Sequence, residues 1–179
     1  MKAFRPRPAR EARTYVGNDI QLAGIERMTL REGAADGLEA ARVRTGGGFA
    51  FTVLQGRAMD IGAAEYKGVP LAYIARPGFV SARHITHGGS EFFRAFSAGL
   101  LTTCGLTHVG SGETLPDGEE TGHHGRILEA PAYNICTQED WQTDVPVFTL
   151  SGKLRQARLM GEELVLSRTI QTSYGRDGF

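Results

Sequence analysis

The sequence predicts an all-β fold built from antiparallel strands. Apolar runs are short and lie between turn residues, as in the strands of a sandwich or barrel. Few windows repeat apolar residues at the helical spacing i, i+3, i+4 and i+7. Glycine is frequent, at 24 of 179 residues, which weakens a helical interpretation further. A chain of this length can bury a sizeable core in one domain without disulfide bonds.

The first half of the chain predicts a meander of strands. Gly46, Gly47 and Gly48 separate two of the strands, and Lys67 with Gly68 forms the turn before a strand that ends at Ala75. The predicted strand segments in this half are 20–30, 38–44, 49–54 and 56–74.

One helix is predicted at 90–101, with Ser90 as its N-cap, although Gly99 opposes it. The apolar residues near helical spacing in this segment are Phe92, Phe93, Phe96 and Leu100. Three further strands are predicted late in the chain, at 145–150, 153–160 and 163–170, the last two joined by Gly161 and Glu162. This density of strands favours an all-β sandwich or barrel.

Charge and apolar content exclude two classes of partner. The 20 basic and 20 acidic residues balance, so no net field favours nucleic acid or an anionic membrane surface. No apolar run approaches the length of a bilayer span. We expect neither a nucleic-acid partner nor a membrane partner.

Two cysteines, Cys104 and Cys136, form no C-x-x-C pair, which indicates a reducing environment and a cytoplasmic protein. Residues 1–19 contain several arginines and few apolar residues, so we expect a flexible N-terminal arm there. Residues 20–179 then form one domain.

His123, His124, Gly125 and Arg126 are the sharpest polar cluster in the sequence. An imidazole can donate or accept a hydrogen bond, and a guanidinium group can hold an oxygen-rich ligand. Glycine lets a ligand approach the backbone. His123 is best explained as a solvated loop residue, whereas His124, beside the glycine, is a candidate functional residue.

Arg57 and Asp60 are a second candidate pair, three residues apart after a strand and a glycine. A turn between them can direct both side chains to one place, and an Arg–Asp ion pair that only orders the turn explains the spacing equally well. Thr102 and Thr103 offer hydroxyl groups nearby. Cys104 is expected to be a small buried apolar residue, because nothing local supplies a base or lowers its pKa.

The histidines do not predict a metal site. His84 and His87 form H-x-x-H, but the sequence lacks H-E-x-x-H and the Cys/His spacing of structural zinc sites. It also lacks a phosphate-binding G-x-x-x-x-G-K-[ST] loop. We expect no metal and no cofactor. Trp141 and Tyr133 are able to stack on a sugar face, but packing beside a turn explains them as well.

Four motifs follow one another along the chain: GRAMDI at 56–61, GLLTTCGL at 99–106, HGRI at 124–127 with PA at 131–132, and LSRTI at 166–170. Together they resemble a family of aldose 1-epimerase-like proteins related to galactose mutarotase. The resemblance covers the chain from about Gln21 onward and implies an antiparallel β-supersandwich. Related proteins are roughly twice as long, so we expect this chain to hold the N-terminal half of that fold.

The resemblance also implies a chemistry. In galactose mutarotases, one histidine protonates the ring oxygen of a pyranose, a carboxylate removes the anomeric hydroxyl proton, and a further histidine and an arginine hold the sugar. His124 matches the histidine of the first His-Gly motif, which binds sugar oxygens. The acid and base belong to the C-terminal half, so no catalytic residue is assigned here. The predicted substrate-binding residues are His124, Arg126, Arg57 and Asp60.

Two functions follow from the resemblance. The first is an aldose 1-epimerase-like isomerase that interconverts the anomers of a small sugar and is incomplete in this chain. The second is a carbohydrate-binding β-sandwich module, which needs the pocket but no acid–base pair. A metal enzyme of the cupin type is disfavoured because its ligand spacing is missing. The last predicted strand would leave an exposed edge, so self-association is a further expectation.

Overall fold

The computed structural model of the chain describes residues 6–85, 91–116 and 118–179. Strands dominate this part of the chain, and its two α-helical segments, α1 (Ala9–Ala12) and α2 (Phe92–Ala95), have four residues each. The strands are β1 (Gly24–Thr29), β2 (Glu39–Arg44), β3 (Phe49–Leu54), β4 (Asp60–Tyr66), β5 (Val69–Pro70), β6 (Tyr73–Ile74), β7 (Ala98–Gly99), β8 (Tyr133–Asp140), β9 (Val147–Ala157) and β10 (Glu163–Ser173).

These strands form antiparallel sheets, which confirms the predicted all-β class. The first five strands make a meander in the order β1-β2-β3-β4-β5. A second sheet has the order β10-β9-β8, and β6 pairs with β7 in a third, short sheet. Lys67 and Gly68 form the β4–β5 turn as predicted, both with positive φ (51° and 78°).

The two larger sheets pack face to face around one apolar core. Phe51 and Ile61 of the first sheet share a buried cluster with Leu150 and Ile170 of the second. Along β9 buried and exposed side chains alternate, because one face meets this core and the other meets solvent. The fold is therefore a sandwich, as the strand density indicates.

Strand β3 is buried along most of its length because both of its faces are covered. Phe51 packs into the central core, whereas Leu54 packs against Leu38 and Phe79 on the opposite face. The apolar run from Phe49 to Leu54, interrupted only by Thr52, follows from this two-sided burial. The hairpin turn after β3 consequently begins in the interior of the molecule.

The predicted helix at 90–101 is wrong over most of its length. Helix α2 ends at Ala95, Phe96 has extended dihedrals, and Ala98–Gly99 is strand β7. Gly99 has a φ of 131°, and a Cβ there would lie 2.5 Å from the carbonyl oxygen of Ile61. Close strand packing therefore overrides the helical spacing of the phenylalanines. Ser90, the predicted cap, lies outside the described residues.

Other strand predictions also differ in extent from the structure. The segment after Lys67–Gly68, predicted as one strand ending at Ala75, is divided between β5 and β6, which belong to different sheets. The segment 20–30 begins with a 3₁₀ turn, Asp19–Gln21, before β1. The segments 145–150 and 153–160 are one strand, β9. Strand β8 was not predicted, because most of its side chains are exposed and polar and show no apolar alternation.

Part of the predicted N-terminal arm packs on the domain. Ala9 and Ala12 of α1 are buried. Arg13 pairs with Asp19 at 2.8 Å and lies 5.7 Å from the centre of the Trp141 ring. Trp141 itself packs against Phe148, so the packing interpretation of this tryptophan fits the structure. The flexibility of the arm stays a prediction.

Candidate functional site

The β3–β4 hairpin turn presents Arg57 and Asp60 from a strained backbone. Ala58 and Met59, between them, have φ values of 50° and 55°, and Asp60 N donates to the Arg57 carbonyl at 2.9 Å. These features are those of a type I′ turn, in which glycine or asparagine is usual. A non-glycine residue held in this left-handed region of φ raises the free energy of the folded state by on the order of 1–3 kcal/mol. The complete burial of Ala58 and Met59 holds the turn in place.

Arg57 points into the interior, where it joins three segments of the chain. Its guanidinium donates to the carbonyl of Val80 at 2.7 Å, of Leu128 at 3.2 Å and of Ala95 at 3.3 Å. Burial lowers the pKa of Arg57, and the nearby Glu129 acts in the opposite direction. All the hydrogen bonds of this side chain within the described residues go to backbone oxygens, as expected for a structural arginine.

Asp60 is buried beside a different arginine. Its Oδ1 accepts from Thr103 N at 2.9 Å and from Thr103 Oγ1 at 2.5 Å, and Arg168 Nη1 lies 3.4 Å away. Arg168 also donates to Thr103 Oγ1 at 2.7 Å and to the Ala58 carbonyl at 2.6 Å. Burial raises the pKa of Asp60, while Thr103 and Arg168 lower it in part. The Arg57–Asp60 ion pair considered from the sequence is absent from the described contacts.

His124 lies on a second surface, in a tight loop that fixes its ring. Its φ is 61°, and the next residue, Gly125, has a φ of 78°. His124 N donates to the Gly110 carbonyl at 2.9 Å, and its own carbonyl accepts from Gly105 N at 3.0 Å. Gly110 N donates to Nδ1 at 3.2 Å. The neutral ring that fits this contact has its proton on Nε2, which is then available as a donor.

One aromatic ring contacts this histidine, and two contact its neighbour His123. Phe92 meets the His124 ring edge to face at 5.7 Å and stacks on the ring of His123 at 5.2 Å. Phe93 lies 5.1 Å from His123, and 62% of its surface is exposed. His123 thus packs between aromatic rings, which differs from the freely solvated loop residue expected. Phe93 offers an exposed apolar face on the same side of the protein.

Arg126 lines a small polar cavity next to the same loop. It pairs with Glu119 at 3.1 Å, and Arg158 pairs with the same carboxylate at 2.5 Å. The cavity has a volume of about 100 Å³ and is also lined by Thr107 and Gln156. Arg126 is therefore held by a carboxylate at the edge of a polar cavity.

The four predicted site residues thus occupy two places. Arg57 and Asp60 lie in the interior, whereas His124 and Arg126 lie on the 105–126 loop. The sequence did not single out Arg168 of the LSRTI motif, which contacts Asp60 and Thr103. It also did not indicate the aromatic cluster of Phe92 and Phe93, whose spacing is typical of a helix.

The prediction for Cys104 was wrong, because this cysteine is exposed. Gly105 turns the chain sharply with a φ of 96°, so its cysteine neighbour faces outward while Gly105 is buried. His87 of the H-x-x-H pair lies outside the described residues. Within residues 6–85, 91–116 and 118–179, no three His, Cys, Asp or Glu residues are grouped as metal ligands would be. No helix in this part of the chain has the length and apolarity needed to cross a lipid bilayer.

Residues 35–179 match the model of the family described as "Domain of unknown function (DUF4432)", and the chain belongs to this family. Its fold is shared with a crystal structure from Klebsiella pneumoniae described as a "putative aldose 1-epimerase", with a TM-score of 0.75 and 18% sequence identity. The match covers 84% of this chain and 40% of the other, so this chain spans less than half the length of that protein. No curated protein matches the sequence.

The shared fold confirms the resemblance to aldose 1-epimerase-like proteins that the four motifs indicate. It also assigns the sandwich of β1–β5 and β8–β10 to the epimerase-like class of β folds. At this level of identity the comparison concerns the fold, and the chemistry depends on the site.

Proposed function

We propose that this chain provides a sugar-binding site of an aldose 1-epimerase-like isomerase, with His124 as the principal sugar ligand. The observation that carries the proposal is the state of the His124 ring. Gly110 N occupies Nδ1, so Nε2–H is left as a fixed donor for a ligand oxygen. A pyranose presents such oxygens on its ring and on its hydroxyl groups.

The surroundings of His124 support a sugar rather than an anion. The exposed ring of Phe93 can pack against the apolar C–H face of a pyranose, as aromatic rings with one open face commonly do with apolar surfaces. At the adjacent cavity Glu119 pairs with both Arg126 and Arg158, and Glu162 pairs with Arg158, so two carboxylates balance the two guanidinium groups. A neutral, hydroxyl-rich ligand suits this combination.

The experiment follows the relaxation of freshly dissolved α-D-galactose and α-D-glucose to anomeric equilibrium by NMR, with and without the purified chain. We expect sugar binding that is lost in His124→Ala and retained in His84→Ala. Faster relaxation that depends on His124 would show that this chain also interconverts the anomers by itself, although the acid and base are expected in the C-terminal half. His84 is an exposed histidine whose side chain makes no hydrogen bond in the described contacts, so it is a matched control. Sugar binding is measured in parallel from chemical-shift changes of the protein.

The two outcomes separate the isomerase from the carbohydrate-binding module. Binding that depends on His124 without faster relaxation supports the module, for which no acid–base pair is needed. Absence of both binding and acceleration with either sugar contradicts the proposal. A cytoplasmic location, and association of copies through the outer edge of β10, stay predictions from the sequence.

A further inference from the structure

Three sequence motifs that the proposed sugar contacts do not explain meet at Asp60. Asp60 comes from GRAMDI, Thr103 from GLLTTCGL and Arg168 from LSRTI. The Thr103 hydroxyl donates to Asp60 and accepts from Arg168, so each of the three side chains contacts the other two. Asp60 is 6% exposed, and such a buried charged group needs a role that compensates for its desolvation.

We propose that Asp60, Thr103 and Arg168 are positioning residues, which hold the His124 loop in its ligand-binding geometry without contacting the sugar. This role rests on the proposed function, because an effect on sugar affinity requires that His124 binds a sugar. It also changes the role predicted for Asp60, from a substrate ligand to a support of the loop that carries one.

The connection from Asp60 to His124 runs through a short segment. Asp60 fixes both the backbone N–H and the hydroxyl of Thr103. Two residues further on, Gly105 N donates to the carbonyl of His124 at 3.0 Å. A Cβ at Gly125 would lie 3.1 Å from the carbonyl oxygen of Gly105, so the His124 turn rests directly on this segment. A displacement of Thr103 is therefore expected to move Gly105, against which the His124 turn packs.

Backbone strain at both ends of this connection explains why such support is needed. At one end Ala58 and Met59 have positive φ values, and Arg168 bonds to the Ala58 carbonyl. At the other end Leu106 and His124 have φ values of 65° and 61°. Non-glycine residues keep a positive φ only where the surrounding contacts fix their backbone conformation. The Asp60 network supplies those constraints on both turns.

The test compares Thr103→Val, which removes the hydroxyl but keeps the shape, with Thr103→Ser, which restores it. Thr102→Val is the matched control, because Thr102 is exposed and has no hydrogen bond in the described contacts. Asp60→Asn is a second disruptive variant, in case Thr103→Val does not fold. The readouts are the imidazole ¹⁵N and ¹H NMR signals of His124, assigned with His124→Ala, and the Kd for D-galactose.

We expect Thr103→Val to shift the His124 signals and to raise the galactose Kd by roughly tenfold. Thr103→Ser and Thr102→Val should match the wild type in both measurements. Wild-type His124 signals and affinity in folded Thr103→Val and Asp60→Asn would overturn the proposal. If the wild type binds no galactose, the proposed function fails for this sugar, while the His124 signals still decide whether the network positions the loop.

Discussion

Arg57→Met tests whether Arg57 stabilises the fold rather than binding a ligand. The substitution keeps most of the aliphatic volume and removes three hydrogen bonds to the carbonyls of Val80, Ala95 and Leu128. Hydrogen bonds from a charged donor contribute about 1.5–3 kcal/mol each. Relief of the guanidinium desolvation offsets part of this loss, while unpaired buried carbonyls add to it. We expect the free energy of unfolding to fall by roughly 2–4 kcal/mol.

Urea denaturation followed by circular dichroism measures this change, with the m-value checked against that of the wild type. Arg27→Met is the control, because Arg27 is an exposed arginine of β1 and should change stability by less than about 0.5 kcal/mol. A ligand-binding Arg57 predicts the opposite pattern, with intact stability and lost sugar affinity. A loss below about 1 kcal/mol for Arg57→Met would refute the structural role.

Three other predictions concern packing, pH and the sugar surface. Gly99→Ala places a Cβ 2.5 Å from a carbonyl oxygen at a φ of 131°. We therefore expect the free energy of unfolding, measured with urea, to fall by roughly 2–4 kcal/mol. Gly17→Ala is the control, because Gly17 has open space around it and the substitution should be nearly neutral. Burial raises the pKa of Asp60 in the folded protein above its usual value of 3.8. The contribution of Asp60 to the free energy of unfolding is therefore complete below pH 3.8 and is lost as the pH rises through the folded pKa. The difference in unfolding free energy between wild type and Asp60→Asn should therefore change across this acidic window, and a constant difference would contradict the assignment. Phe93→Ala should raise the galactose Kd by about three- to tenfold, with Phe93→Trp retaining affinity, and equal affinities would exclude a stacking role.

Local sequence signals predicted those strands whose side-chain pattern matches their burial. The run from Phe49 to Leu54 is apolar except for Thr52 because both faces of β3 are covered. The turn at Lys67–Gly68 requires positive φ at both residues, which glycine readily adopts. Strand β8 lacked such a signal, since it is held by pairing with β9 rather than by burial of its own residues. Gly152 made β9 look like two strands, although a Cβ there would lie 2.7 Å from Met59 Sδ, so this glycine serves packing and no turn.

The same difference between local and long-range signals applies to the candidate site. The His-Gly-Arg motif is local, and its loop conformation follows from adjacent residues with positive φ, so the sequence was sufficient to name His124 as a candidate. Which nitrogen of His124 bears the proton depends on Gly110, a contact across 14 positions. The sequence alone did not predict that contact.

By itself, the sequence determined the all-β class, the order of four motifs and the resemblance to aldose 1-epimerase-like proteins. Only the tertiary structure decided which residues the motifs contact, because their partners are distant in the chain. Asp60 meets Thr103 across 43 positions and Arg168 across 108. Spacing within a motif suggested that Arg57 and Asp60 act together. Packing of the two sheets instead turned Arg57 towards backbone carbonyls and gave Asp60 a different arginine.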